Sequence, residues 1–119
     1  MNIRELFKDR VSSSAFKVID GETRILGKFG QISVIGDAFD IWFVGPNLEP
    51  LTEHKLTAIQ KKLPEDRGFR RLTGEMYGQT KDIRLVYKTL PLLGIKKRRR
   101  YSDEYRAKLR DRIREIRNG

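Results

Sequence analysis

Through residues 15–45 the runs AFKVID, TRILGKF, QISVIG and AFDIWFVG alternate apolar with polar positions, and glycine or aspartate separates them. Short runs rich in β-branched and aromatic residues, with turn formers between them, predict an antiparallel meander of three to four strands. In the last run Phe39, Ile41 and Phe43 fall on one face and Trp42 and Val44 on the other. A strand apolar on both faces is expected to be central and covered on both sides.

Helical spacing brackets the meander. Asn2 caps a short helix ending near Asp9, with Ile3, Leu6 and Phe7 on one side, and residues 12–14 break it. After Gly45-Pro46-Asn47, Thr52 caps a helix to about Leu63, with Leu56, Ile59 and Leu63 as its core stripe and Pro64 closing it. Residues 69–72 form one further strand, so strand, helix and strand make a right-handed crossover. Thr80 opens a helix with Ile83, Val86, Tyr87 and Leu90 inward, Pro91 stops it, and Leu92, Leu93 and Ile95 tie the following segment to the core. The expected fold is α+β: an antiparallel β-meander of three to four strands plus one crossover strand, packed with three to four helices and ending in a basic C-terminal helix. A chain of 119 residues supports one such domain, placed at residues 1–95, with residues 96–119 as a basic linker and amphipathic helix.

Charge changes the picture at that last segment. The chain carries 26 Lys and Arg against 16 Asp and Glu, and 11 of the cations stand in residues 96–119 against four acids. Lys96, Lys97, Arg98, Arg99 and Arg100 are consecutive. Ser102 followed by Asp103 and Glu104 is a helix start, a hydroxyl cap with acids in the positive first turn. Over residues 102–117 the spacing places Tyr105, Leu109, Ile113 and Ile116 on one face, and Arg106, Arg110, Arg114 and Arg117 form a stripe beside it. A solubilising helix intersperses both signs; an arginine stripe repeating each turn instead suits phosphate oxygens, which the planar guanidinium fork meets in pairs. Arg70 and Arg71, with Arg67 and Lys81, add cations around the 69–72 strand, and Phe69 and Tyr77 offer stacking surfaces of the kind single-strand binders use.

The chemistry of enzymes is thinly represented. Cysteine is absent, which removes disulfides, thiol catalysis and cysteine zinc sites. The single histidine, His54, falls on the exposed side of its helix. A metal site would need carboxylates such as Asp37, Asp40 and Glu75 to meet around Mg²⁺; Asp37 already has a turn role after Gly36. No cofactor is implied, and the expectation is a non-enzymatic protein. No apolar run has signal-peptide or membrane-spanning length, so a membrane is not an expected partner and the expected location is the cytoplasm.

Three strings resemble known modules. Ile41-Trp42-Phe43-Val44-Gly45-Pro46-Asn47-Leu48 resembles the first ribonucleoprotein motif of the RNA-recognition fold, a strand with an exposed aromatic leading to a helix. That fold has two strands between its helices, with stacking aromatics on the second; the pattern here offers only one, so the family is not assigned. Gly27-Lys28-Phe29-Gly30 resembles the GxxG loop of the KH fold, which joins helices, whereas this string lies among strands and is expected to be a bend or bulge. The end of the chain, LLGIKKRRRYSDEYRAKLRDRIREIRNG, resembles the basic tails of small phage and prophage proteins. That resemblance implies a bacterial or infected-host cytoplasm and a role in nucleic-acid metabolism or in inhibiting a host complex.

The sequence thus predicts a small basic protein that contacts nucleic-acid backbone, DNA or RNA, with little sequence specificity, through residues 96–100, the arginine stripe, Arg70 and Arg71. The alternative is a phage-encoded inhibitor or accessory factor whose tail docks on an acidic host protein or nucleoprotein complex.

Overall fold

The computed structural model describes residues 2–63, 68–98, 108 and 110–112. Helix α1 (Ile3–Phe7) is capped by Asn2, whose side-chain oxygen accepts from the Arg4 and Glu5 N–H groups at 3.1 and 3.3 Å. Strands β1 (Phe16–Ile19), β2 (Glu22–Gly27), β3 (Gly30–Ile35) and β4 (Ala38–Phe43) follow as the predicted meander. Helix α2 (Glu53–Lys62), β5 (Phe69–Leu72), β6 (Glu75–Thr80) and α3 (Ile83–Leu92) complete the body. The fold is α+β, and its sheet is antiparallel throughout in the order β1-β2-β3-β4-β6-β5.

Turn chemistry sets the hairpins. Asp20 and Gly21 both have positive φ, the signature of the two-residue turn whose twist matches its flanking strands. The Gly27-Lys28-Phe29-Gly30 string is neither bend nor bulge but the β2–β3 turn, with Gly27 opposite Gly30. Both glycines are dictated by close approach. A Cβ on Gly30, at φ +145°, would lie 1.9 Å from the Trp42 carbonyl oxygen, and one on Gly27 would lie 2.3 Å from that of Leu93.

Six strands stand where four or five were expected. The additional strand is β6, joined to β5 through Thr73-Gly74 and inserted between β4 and β5, so the strand that follows α2 does not neighbour β4. Its sequence, EMYGQT, is short and broken by Gly78, which weakens any strand pattern. Gly78 is there because the Phe69 ring lies over it, 2.6 Å from where a Cβ would be. Two strands therefore lie between α2 and α3, and the reason for setting aside the ribonucleoprotein likeness does not hold. Two smaller corrections concern α3. Asp82, not Thr80, caps it, its carboxylate accepting from the Arg84 N–H at 2.9 Å, because Thr80 still belongs to β6. Pro91 lies inside the last turn rather than ending the helix.

Helices α1, α2 and α3 pack on one face of the sheet. Phe39, Ile41 and Phe43 of β4, Ile25, Ile32 and Met76 from its neighbours, Ile3 and Phe7 of α1, Leu56 and Ile59 of α2, and Leu85, Val86 and Leu90 of α3 form one core. Phe7 meets Phe39 and Tyr87 edge to face at 5.8 and 5.6 Å. β4 is central, as predicted, but the covering of its second face is not: Val44 is buried while Trp42 is half-exposed, and among the described residues no helix packs there. Apolar residues on both sides of a strand predict two layers of cover only if there are helices enough for both.

Candidate nucleic-acid interface

A basic cleft forms where the two ends of the described body meet. Ile3 and Phe7 are buried, which turns Arg4 and Lys8, one helical turn apart, outward. Residues 10–12 then pair with residues 96–98. Val11 and Lys97 form an antiparallel bridge, the Ser12 N–H donates to the Lys96 carbonyl at 2.9 Å, and the Arg98 N–H donates to that of Arg10 at 3.3 Å. The start of the cation run is thus part of the body, beyond the boundary expected at Ile95. Between these segments lies a cleft of about 840 Å³, lined by Arg4, Lys8, Lys96, Lys97 and Arg98 over a floor that includes Val11 and Phe16.

Its cations differ in their partners. Arg98 donates to the Asp9 carboxylate at 3.0 Å and the Lys8 carbonyl at 3.2 Å. Lys8 pairs with Glu5 at 3.2 Å, and Arg4 lies over the Phe16 ring, 5.1 Å from its centroid. Lys96 and Lys97 have no side-chain partner among the described residues. The ion pairs are exposed, so each holds its cation by a fraction of a kcal/mol to about 1 kcal/mol, and an incoming phosphate competes readily.

The two arginines of β5 part company. Arg71 points to the helix side and donates to Thr57 at 3.1 Å, to Gln60 at 3.2 Å and to the Glu53 backbone carbonyl at 3.2 Å, and it forms an ion pair with the Glu53 carboxylate. It clamps β5 to α2 with both terminal nitrogens engaged. Arg70 points to the opposite face, is exposed, and stands opposite Tyr77 in the β5–β6 register. Arg110 is exposed on a helical stretch at residues 108 and 110–112. Arg67, Arg99, Arg100, Arg106, Arg114 and Arg117 lie outside the described residues, as do Ser102, Tyr105, Leu109, Ile113 and Ile116.

The open face of the sheet carries Gln31, Trp42, Tyr77 and Arg70 in one register row. The next row holds Lys17 opposite Arg24 on β1 and β2, and Ser33, Asp40 and Gln79 across β3, β4 and β6. The Tyr77 hydroxyl accepts from the Gln79 amide at 3.0 Å. Its pKa is raised, first by the adjacent Asp40 carboxylate, an effect that the Gln79 bond partly opposes. Ser33 donates to Asp40 Oδ2 at 3.5 Å, while Asp40 Oδ1 is buried with no hydrogen-bond partner among the described residues.

Carboxylates do not assemble a metal site among the described residues. Asp37 pairs with Lys81 at 3.0 Å, whose hydrogen bond and charge lower its pKa. Asp40 stands opposite Gln79, while Glu75 lies four positions away along β6, opposite Leu72. His54 is exposed on α2, and no helix of the described residues is long and apolar enough to cross a membrane. Phe69 faces the core against Phe43, at 6.2 Å between centroids, which leaves Tyr77 as the accessible ring of that hairpin.

Arg4 and Lys8 were not singled out by the sequence. The available signal was their i,i+4 spacing opposite Ile3 and Phe7, but no local rule links that helix to residues some 90 positions later. Compared with family models, with curated proteins and with solved structures, the chain matches none.

Proposed function

We propose that the protein binds the phosphate backbone of nucleic acid in the cleft of Arg4, Lys8, Lys96, Lys97 and Arg98, with little sequence specificity. The convergence of five cations from two chain-distant segments on one concave surface carries this reading. A concave basic wall concentrates potential and steers a polyanion, and Lys96 and Lys97 bring ammonium groups with no competing carboxylate among the described residues. Arg99, Arg100, Arg106, Arg110, Arg114 and Arg117, which follow the cleft residues in sequence, add further positive charge for the same ligand. Among the described residues lining the cleft there is no Asn or Gln, whose paired donor and acceptor read adenine.

Fluorescence anisotropy with labelled single strands and duplexes over a salt series tests this. Replacing Lys96 and Lys97 by alanine is expected to weaken binding equally across unrelated sequences. It should also flatten the log–log salt slope by about 0.7 per lost phosphate contact on single strands and about 0.9 on duplexes. An unchanged slope would remove the cleft from the interface. If the full chain binds no nucleic acid at moderate salt, the cations serve an acidic protein surface instead.

A further inference from the structure

We propose that the open face of the sheet is a stacking platform for the bases of single-stranded nucleic acid, with Trp42 and Tyr77 as its two rings. This rests on the nucleic-acid reading above and adds the form of the ligand and a second contact surface.

Placement is the first support. Trp42 on β4 and Tyr77 on β6 are directly opposite in register, so their Cβ atoms are about 5 Å apart. Both stand on interior strands of a six-stranded sheet, on the face that no described helix covers, and both are half-exposed. The availability of their faces is the second support. Phe16, Tyr87 and Phe29 each have a cation over the ring, from Arg4, Arg10 and both Lys28 and Lys55 respectively. Among the described residues neither Trp42 nor Tyr77 has a ring or cation against it. Tyr77 is also held in place, by Gln79 on its hydroxyl and Asp40 beside it, which lowers the entropy lost when a base settles on it.

Charge selects the occupant. Arg70 borders Tyr77 on one side of the row, Gln31 borders Trp42 on the other, and Lys17 and Arg24 lie toward the β1 side. Glu22 neutralises Arg24 through an ion pair at 3.2 Å, whereas Arg70 and Lys17 have no partner among the described residues. Asp40, next to the rings, repels phosphate from the centre of the face. Bases over the rings with phosphates at the Arg70 and Lys17 margins satisfy all of these groups. A duplex cannot, since its bases are already paired and stacked. A protein partner would find apolar side chains at the margins, Ile35 and Leu72, but at the centre would meet the two rings among Gln31, Gln79, Arg70 and Asp40, where cores of protein interfaces are depleted in charge.

Trp42 is the only tryptophan of the chain, so its emission reports the platform directly in the unmodified protein. The probes are oligodeoxyuridylate, oligouridylate, a mixed-sequence duplex and inorganic polyphosphate, with binding followed independently by anisotropy or competition. Quenching of Trp42 by either single strand, with the duplex and polyphosphate binding but leaving emission unchanged, is the expected result. The stronger of the two single strands then identifies the sugar. Tyr77→Leu should weaken single-strand binding by about 5- to 150-fold, the range that one lost base–aromatic stack implies, while polyphosphate affinity stays the same. Single-strand binding without a change in Trp42 emission overturns the platform and leaves the backbone-binding cleft standing; absence of all nucleic-acid binding overturns both. A Trp42 emission that shifts with protein concentration alone, together with a dimer in light scattering, also overturns it and gives the face to a second copy of the chain.

Discussion

The two faces of the sheet are built from the same strands and use their residues in opposite ways. On the helix side, β4 contributes Phe39, Ile41 and Phe43, all buried, to a core shared by α1, α2 and α3. On the other side the same strand contributes Asp40 and Trp42, both half-exposed, among Gln31, Tyr77, Gln79 and Arg70. One residue step along the chain separates a side chain that holds the molecule together from one that is available to a ligand. Stability and recognition can therefore be perturbed separately.

The largest effect that would break this contrast is in the core. Phe43→Ala should cost about 3–5 kcal/mol in unfolding free energy, as deletion of a fully buried aromatic does. Trp42→Ala, one position away, should cost only about 1 kcal/mol, the span of strand preferences at a half-covered position. Urea denaturation of both variants measures the difference, and equal costs would mean that the second face is covered after all.

The β5 pair sharpens the same contrast at smaller scale. Arg71→Ala removes the clamp onto Glu53, Thr57 and Gln60 and should destabilise by roughly 0.5–1.5 kcal/mol. Arg70→Ala should leave the denaturation midpoint within about 0.5 kcal/mol of the original, because no described contact is lost, and should weaken single-strand binding instead. The reverse assignment of losses would invert the roles of the two faces.

The smallest effect concerns the Tyr77 hydroxyl. Its folded pKa is raised above the ordinary phenol value, so the contribution to stability is fully present below that value and is lost as pH rises through the folded pKa. Asp40→Asn removes the negative charge and should bring the phenol back toward its ordinary titration. The component of the phenolate absorbance titration that Tyr77→Phe abolishes reads this directly; a component that does not move in Asp40→Asn would place the carboxylate away from the ring.

Much of this arrangement is legible in one dimension. The four strands of the meander show as period-two runs between turn residues, and Asn2, Thr52 and the apolar stripes locate α1 and α2. β6 escapes because Gly78 and two polar residues erase its apolar alternation, and the reason for Gly78 is the Phe69 ring, a tertiary fact. The cap of α3 was displaced by two residues for the same cause, since Thr80 is needed as the last rung of β6. The cation run was evident, but its meeting with Arg4 and Lys8 depends on a bridge between Val11 and Lys97, which no local pattern encodes.

By itself the sequence determined which residues alternate, where the chain turns and where positive charge accumulates, because these follow from local backbone preference and composition. Tertiary structure decided which side of the sheet the helices take. That choice sends Arg71 to a structural clamp and Arg70 to the surface, and leaves Trp42 and Tyr77 half-exposed among the described residues. The physical reason is that a single strand presents both its faces equally, and only the packing of distant helices onto one of them makes the other available.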